Sequence, residues 1–377
     1  MRHFTILCSS FLFLGINVFG QTSDTLTLKD LEIPNSPAFI LLDQTPTTIE
    51  RPNSSKAFVL SVLNSFQDNN GMPKNYAADF TPFWYIKHPK MTSLKYAGYN
   101  VDKHRQRIFG NLMKASVSFA FVTIPDTLTK ESINNLSLGL RFNIVTYRTQ
   151  KDIEDLKKAN LNLIESLKSR DDRLQEYIAD PTLSATNPTL YHIKLREFFE
   201  QDKEVQRSEE NAIKDILTRK PIFAIDGAVG YNNFFIDNNY SDCHFGRFGA
   251  WLTVNYASHL DKDDNGKNYL NFYAIGRYLS DGTTLINFKY IKQKYYDFGG
   301  KIELEFKKIS IAYEYIYRLD KISNTFRSNG LLKYKISDQL FLTGAFGKNF
   351  GNSNNLISLL GLNFGLSTGA EKTLVKE

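Results

Sequence analysis

The chain has 377 residues, a formal net charge of +6 and 14% aromatic residues, most of them Phe and Tyr. The positive charge is spread along the chain without the clustered footprint of a nucleic-acid-binding protein, so no nucleic-acid partner is predicted. The two cysteines are Cys8 and Cys243. Because Cys8 lies in a segment predicted to be cleaved, an intramolecular disulfide is excluded and the sheet itself must stabilise the fold.

Residues 1–20 have the layout of a signal peptide. Arg2 and His3 give a short basic start, an apolar run follows from Phe4 to about Phe19, and a small glycine ends it. The run is too short for a spanning helix. Since no later stretch approaches 18 consecutive apolar residues, any membrane span of the mature chain must consist of strands.

Residues 21–75 are predicted to form a periplasmic N-terminal segment or a plug. Val59, Val62, Leu63 and Phe66 recur at the spacing of one helix face, which predicts a short helix. Two interpretations stay open for this segment, a packed N-terminal helix and a plug or docking element.

From residue 76 onward apolar residues recur at every second position, the period of a β-strand. In 309–319, for example, Ile311, Tyr313 and Tyr315 alternate with polar Ser310 and Glu314. Strands are predicted at 76–86, 107–124, 135–148, 221–234, 245–257, 269–280, 284–291, 296–306, 309–319, 326–336, 339–348 and 356–366.

The predicted connections sort by length. Those after even-numbered strands are short, whereas those after odd-numbered strands are mostly longer, which is typical of outer-membrane barrels with short periplasmic turns. The sequence therefore predicts an all-β membrane protein, a single antiparallel transmembrane β-barrel of about 12 strands over residues 76–367. Its apolar face would contact outer-membrane lipid and its charged face would line a lumen. A secreted soluble β-protein is the alternative.

Residues 150–220 interrupt the β pattern. Apolar residues at three-and-four spacing, such as Ile153, Leu156 and Leu163, predict an antiparallel helical hairpin inserted between the third and fourth strands. Loop parity places it on the outer face of the membrane, and a miscounted strand would move it to the periplasm. Residues 368–377 are predicted to be a polar tail.

The inward-facing charges are of both signs, which fits either a selectivity path for a polar solute or ion pairs that fill the lumen. The residues predicted to line the lumen are Asp79, Arg141, Arg247, Arg277, Lys289, Lys301, Glu303, Glu305, Glu314, Arg318, Lys333 and Lys335.

The loop DKDDNG matches the first half of a calcium-binding loop, with Asp261, Asp263 and Asn265 as ligands. The twelfth position is Phe272, which supplies no carboxylate, so a polar hairpin loop is favoured and any Ca²⁺ binding should be weak. No other cofactor is predicted. The chain lacks GxSxG and HExxH motifs, and its histidines lack metal-ligand spacing, so it is predicted not to be an enzyme.

The runs SPAFILL (36–42), TIERP (48–52), KAF (56–58) and PKNYAADFTPFWY (73–85) resemble the entry region of a family of uncharacterised Gram-negative outer-membrane β-barrel proteins. The resemblance covers about fifty residues. It implies a signal peptide, an N-terminal block, a β-barrel with a helical insertion and an outer-membrane location. It implies no activity.

These observations favour a non-enzymatic channel or uptake pore for small polar solutes. The alternative is a structural or assembly component that binds protein partners through its N-terminal segment and helical insertion. The position of residues 36–66 separates the two. A segment inside the lumen favours a gated channel or a closed anchor, whereas a segment below the barrel with a free apolar side favours partner binding.

Overall fold

The computed structural model describes twelve stretches of the chain, which together form a strand-rich fold with a helical insertion. They are residues 37–42, 76–86, 91–109, 112–125, 132–180, 182–236, 241–261, 268–286, 289–321, 324–336, 340–350 and 356–364. The predicted signal peptide, the predicted helix at 59–66 and the predicted tail at 368–377 lie outside these residues.

The strands form one antiparallel sheet and a small separate ribbon. Their bounds are β1 Tyr76–Phe80, β2 Tyr99–Asn100, β3 Arg105–Gln106, β4 Ser116–Pro125, β5 Ser132–Tyr147, β6 Phe223–Ile236, β7 Cys243–His259, β8 Tyr269–Ile286, β9 Lys289–Glu305, β10 Ile309–Leu319, β11 Thr325–Lys335, β12 Leu340–Lys348 and β13 Leu356–Phe364. The sheet has eleven strands in the order β1-β4-β5-β6-β7-β8-β9-β10-β11-β12-β13, while β2 pairs with β3. Among the described residues, β1 and β13 are the sheet's two edges.

Helices occupy the connections and one N-terminal stretch. They are α1 Pro37–Ile40, α2 Ser93–Tyr96, α3 Gln150–Lys168, α4 Arg170–Ile178, α5 Leu183–Thr186 and α6 Pro188–Thr218, with single 3₁₀ turns at Pro82–Tyr85 and Leu112–Lys114. None of the helices in the described stretches combines the length and the apolar character that a membrane crossing requires.

The sheet buries its polar face and exposes its apolar face. In β10, the side chains of Ile311 and Tyr313 are 52% and 55% exposed, whereas those of Ser310 and Glu314 are 8% and 4% exposed. Successive strand residues point to opposite faces, so this alternation assigns each face one environment. A water-soluble sheet normally shows the reverse arrangement.

The same inversion extends across the sheet. Exposed apolar residues on the strands include Leu138, Tyr231, Leu252, Tyr256, Phe272, Tyr296, Phe298, Ile302, Leu332 and Phe346. Buried polar residues include Asp79, Ser118, Ser137, Asn232, Thr253, Asn271, Arg277, Asp297, Lys301, Glu303, Arg327 and Asn329. The predicted antiparallel, strand-rich class is confirmed, and the face predicted to be charged is the covered one.

The prediction of three strands between 269 and 306 is wrong, because these residues form two long strands, β8 and β9. The predicted end of one strand at 280 and start of the next at 284 imply a turn at SDGT (280–283), but this run is an irregularity within β8, where the register shifts between Asp281 and Thr284. The Asp281 carboxylate accepts hydrogen bonds from the Thr283 amide (2.8 Å) and hydroxyl (2.7 Å), the bonding of an Asx turn, and it does so within a continuous strand. The strand count of the described sheet is therefore eleven.

The start of the sheet also differs from the prediction. The first strand ends at Phe80 and gives way to the 3₁₀ turn, and the second main strand starts at Ser116 instead of 107. With eleven consecutive antiparallel neighbours, the start of β1 and the end of β13 lie at opposite ends of the sheet. The predicted even number of strands would have placed these two ends together.

The connections differ in length between the two ends of the sheet, but less regularly than predicted. We call the end of the sheet where β5 ends and β6 begins the cap end. The three longest connections, 81–115, 148–222 and 260–268, all lie there, but so do the short connections 306–308 and 336–339. The opposite end carries only short connections.

The helical insertion and residues 82–114 share one apolar core at the cap end, and we call this unit the helical cap. Its buried side chains include Phe83, Tyr96, Leu156, Leu163 and Ile213. Since α3 contacts the C-terminal part of α6 in this core, the two helices run antiparallel. Helices are therefore present where the apolar spacing predicted them.

Two arginines hold the base of the helical cap. The buried Arg148 guanidinium donates hydrogen bonds to the carbonyls of Ile216 (3.3 Å), Leu217 (2.8 Å) and Arg219 (3.0 Å), which satisfies the end of α6. Arg219 in turn donates to Asp152 (3.2 Å) and Asp155 (2.8 Å) in the first turns of α3. Burial works against the charged form of Arg219, but the two aspartates outweigh it and raise the pKa.

Candidate functional site: the polar face of the sheet

A row of charges crosses the polar face on neighbouring strands. The register aligns Arg277 of β8, Asp297 of β9 and Arg318 of β10. Arg277 Nε donates to Asp297 Oδ2 (2.8 Å), and Arg318 donates through Nε to Oδ1 (2.7 Å) and through Nη2 to Oδ2 (3.0 Å). The Asp297 side chain is 0% exposed, so two arginines compensate one fully buried carboxylate.

A second buried cluster surrounds Glu303, six residues after Asp297 in β9 and therefore nearer the cap end. Glu303 accepts hydrogen bonds from the Tyr273 hydroxyl (3.0 Å), from Lys301 Nζ (3.2 Å) and from the Ser310 hydroxyl. Lys301 Nζ also lies 4.1 Å from the centroid of the Tyr273 ring. The acceptor capacity of Glu303 is thus largely used within the protein.

Two further pairs complete the charged rows. Arg327 Nη2 lies 2.8 Å from Glu314 Oε1, and both residues are buried. At the cap end, Glu305 forms an ion pair with Lys220, which precedes β6, and accepts a hydrogen bond from Asn271 (3.1 Å). The Lys220 contact joins the entry to β6 with the end of β9, three strands away, so the polar face is concave.

The connection after β12 folds onto the charged rows. Phe350 is buried and packs against Ile275 of β8 and Ile316 of β10. The Arg318 guanidinium lies 3.8 Å from the centroid of the Phe350 ring, a cation–π distance. An aromatic side chain therefore covers the Asp297 row from the end of the sheet opposite the cap.

The structure places the predicted lumen residues as follows. Those buried on the polar face are Asp79, Arg277, Lys301, Glu303 and Glu314. Those partly buried are Arg141, Arg247, Glu305 and Arg318, and those exposed are Lys289 and Lys333. The backbone of Lys335 pairs with Phe341, and its side chain lies outside the described part.

The prediction missed the charged residues Asp226, Asp281, Asp297 and Arg327 of this face, of which Asp226 accepts a hydrogen bond from Asn143 (2.7 Å). Asp297 has the same parity in β9 as Lys301, and Arg327 has the same parity in β11 as Lys333, so a strict continuation of the alternation would have found both. Asp281 was missed because its stretch was assigned to a turn. Its carboxylate receives a hydrogen bond from Arg247 Nε (2.9 Å).

Residues 37–42, which we call the inner segment, lie against the polar face of β4 to β7. The Ala38 amide donates to the Ser118 hydroxyl (3.1 Å), and Arg247 Nη1 donates to the Leu41 carbonyl (3.1 Å). Ala38 and Leu41 are buried, and Leu41 packs with Ala228 and Trp251. This part of the N-terminal block therefore lies on the concave face, the position that a plug requires.

Glycines on the sheet make room for the inner segment. A Cβ atom added at Gly139 would lie 2.4 Å from the Ala38 nitrogen, and one added at Gly230 would lie 2.7 Å from Leu41 Cδ1. Both distances are shorter than van der Waals contact. The close approach of the inner segment therefore depends on residues without side chains at these positions.

Several buried polar atoms of β7 and β8 have no hydrogen-bond partner among the described residues. They include Trp251 Nε1, Thr253 Oγ1, Asn255 Oδ1 and Asn271 Oδ1. Trp251, Thr253 and Asn255 are successive same-face positions of β7. Buried polar groups usually have a partner, so this strip offers hydrogen bonds to water or to a small polar solute.

The predicted calcium loop is described only at one ligand. The Asp261 carboxylate accepts hydrogen bonds from the Asn268 side chain (2.7 Å) and amide (3.3 Å), whereas Asp263 and Asn265 lie outside the described residues. In the part of the chain that the structure describes, no group of three His, Cys, Asp or Glu side chains could hold a metal ion. Weak Ca²⁺ binding stays a prediction.

No family model and no curated protein matches this chain. The resemblance of the N-terminal block to an outer-membrane family therefore stays a prediction.

Proposed function

We propose that the sheet closes into a transmembrane β-barrel in the bacterial outer membrane and acts as a gated channel for small polar solutes, with the inner segment as its gate. The observation that carries the proposal is the inverted burial of the sheet, with apolar side chains outside and charges inside. It is a non-enzymatic function, and its partners are membrane lipid and the solute.

The inverted burial favours lipid as the environment of the apolar face. Ile302, Ile311 and Tyr313 are exposed on adjacent strands, and monomeric soluble proteins rarely expose contiguous apolar patches of such extent. In a membrane barrel the outward face is an apolar band and the inward face is polar. A secreted soluble protein would need a further layer over these residues.

The contacts of the inner segment favour a gate over a permanent seal. Its described polar contacts to the sheet are the hydrogen bonds to Ser118 and from Arg247, and its apolar contacts involve mainly Ala38, Leu41 and Leu42. Net hydrogen bonds contribute about 0.5–1.5 kcal/mol each, or about 1.5–3 kcal/mol with a charged partner. The free-energy cost of releasing the inner segment is therefore moderate, and release would expose the polar strip at Trp251.

A reversible crosslink tests the gate directly. We suggest the double variant Leu41→Cys/Gly230→Cys on a Cys243→Ser background, because a Cβ at Gly230 lies 3.3 Å from Leu41 Cγ, the position that the sulfur of a cysteine at 41 would occupy, and a disulfide needs this close approach. Conductance is measured in planar bilayers under oxidising conditions and again after a reductant is added. Each single cysteine variant on the same background is the control.

The proposal predicts that the oxidised double variant stays closed and that the reductant restores discrete conductance steps. The conductance of both single-cysteine controls should be the same under oxidising and reducing conditions. Equal conductance of the crosslinked and reduced forms would exclude the inner segment as the gate. Silence of every variant, including one lacking residues 22–70, would exclude a channel.

The helical cap favours a second candidate, an anchored component that binds protein partners. The 31 residues of α6 span about 46 Å at 1.5 Å per residue, and Leu161 and Ile193 are exposed apolar residues of the cap helices. This candidate predicts a stoichiometric partner on purification in mild detergent and no conductance. A monomer that conducts would contradict it.

A further inference from the structure

The ribbon formed by β2 and β3, residues 99–109, is an exposed basic element. Lys103, Arg105 and Arg107 are exposed, and within the described residues none of them forms an ion pair. Asp102 is the only acidic residue of this stretch. The ribbon therefore presents uncompensated positive charge on one side.

Hydrogen bonds fix this ribbon to the cap end of the sheet. The Gln106 side chain donates to the Arg148 carbonyl (2.9 Å) and accepts from the Arg148 amide (3.1 Å). The Thr146 amide donates to the Ile108 carbonyl (3.0 Å), and Phe109 forms a β-bridge with Val145. The charges consequently have a defined position beside the end of β5.

The cations of the ribbon lie next to the apolar face of the sheet. Val145 pairs with Ile225, and the next residue of that face, Tyr147, pairs with Phe223 and is exposed. The Phe109 side chain, beside Val145, is 70% exposed. The apolar face thus continues through Tyr147 and Phe109 and ends where the cations begin.

A groove of about 650 Å³ lies along the ribbon. The residues that line it are the cations Lys103, Arg105 and Arg107, the polar residues Asn100 and Gln106, and the apolar residues Ile108 and Phe109. Arginine donors match the oxygens of a phosphate in geometry and charge. The aromatic residue lies where the acyl chains of a bound lipid would begin.

We propose that this groove binds the headgroup phosphate of an anionic membrane lipid, with Lys103, Arg105 and Arg107 as its ligands and Phe109 in contact with the acyl chains. The proposal rests on the proposed membrane location of the sheet. The site anchors the cap end of the barrel at the interface, where cations and aromatic residues are each favourable. It gives the proposed channel a lipid-dependent stability.

The test uses the full mature chain and matched variants. Lys103→Gln/Arg105→Gln/Arg107→Gln removes three ligands, and Arg196→Gln/Lys203→Gln/Arg207→Gln removes three exposed cations from α6. Each protein is inserted into phosphatidylcholine vesicles with and without phosphatidylglycerol, and insertion is checked by protease protection. The retention of single phosphatidylglycerol molecules is then measured by native mass spectrometry, with a parallel titration of inorganic phosphate.

We expect the ribbon variant to retain phosphatidylglycerol at least tenfold more weakly than the wild type, because it lacks three cations that attract an anionic headgroup. The α6 variant should match the wild type. Equal retention of phosphatidylglycerol by the two variants would overturn this inference but not the proposed function. The same holds if free phosphate at millimolar concentration competes for the site as well as the lipid does. Failure of the wild type to insert would overturn the proposed function and this inference with it.

Discussion

Arg247 connects the inner segment to the sheet through Leu41. Its Nη1 donates to the Leu41 carbonyl at 3.1 Å while its Nε donates to Asp281 at 2.9 Å. One side chain of β7 thus links residues that are 206 positions apart in sequence. The ion pair with Asp281 holds the guanidinium in the orientation that the Leu41 contact requires.

If the inner segment gates a channel as proposed, removal of this arginine should favour the open state. Arg247→Ala deletes a charge-assisted hydrogen bond of about 1.5–3 kcal/mol, so the open probability in planar bilayers should rise roughly tenfold or more. Lys289→Ala removes an equal charge from an exposed position of β9 and should leave the open probability unchanged. An unchanged open probability in Arg247→Ala would contradict this account of the gate.

A side chain at Gly139 should displace the inner segment by contact. The Cβ of Gly139→Ala would lie 2.4 Å from a backbone nitrogen, which cannot rotate away. With Ala38→Cys as a reporter on the Cys243→Ser background, labelling by a membrane-impermeant thiol reagent should become faster. At Gly276 an added Cβ meets ordinary contacts at 3.9 Å, so Gly276→Ala should label at the parental rate. Equal rates in both glycine variants would show that the inner segment lies elsewhere.

Loss of the Asp297 carboxylate should destabilise the sheet strongly. Asp297→Asn leaves the buried Arg277 and the partly buried Arg318 without their counter-charge, and breaking a buried pair typically costs about 3–5 kcal/mol. Urea unfolding in lipid vesicles should show a loss of that order. Glu305→Gln, at the more exposed Lys220 pair, should cost less than about 1 kcal/mol. A similar loss in both variants would argue against a closed interior around Asp297.

The Arg148 contacts should control the end of α6. Arg148→Met keeps an apolar stem but removes the guanidinium that donates to the carbonyls of Leu217 and Arg219, at a cost of about 1–3 kcal/mol each if they stay buried. Hydrogen exchange at the amides of 210–218 should accelerate, while strand amides stay protected. Arg196→Met, on an exposed position of the same helix, serves as the control. Unchanged exchange would mean that the apolar core alone holds the helical cap.

Local patterning predicted the sheet because alternation is a property of neighbouring residues. It assigned Ile311 and Glu314 to opposite faces and recognised the helical spacing of Leu156 and Leu163. It failed at residues 280–283, where SDGT has turn chemistry but the strand continues. Long-range pairing of β8 with β7 and β9 overrides the local turn preference there.

The contacts on the concave face could not be predicted, because they depend on information that the sequence pattern lacks. The ion pairs between Asp297 and its two arginines require the register of three strands, which the pattern does not specify. The inner segment contains only four helical residues, too few for a periodic signal, so its place against Gly139 and Gly230 could not be deduced. The unpaired Trp251 nitrogen is likewise a consequence of tertiary packing.

The most direct test of the central claim compares two neighbouring positions of β10. Single cysteines replace Tyr313, on the exposed apolar face, and Ala312, on the buried face, in Cys243→Ser protein reconstituted into vesicles. Spin labels at both sites are probed for collisions with oxygen, which partitions into lipid, and with a water-soluble nickel complex. The account predicts lipid contact at 313 and none at 312. A label at 313 that collides mainly with the nickel complex would contradict it.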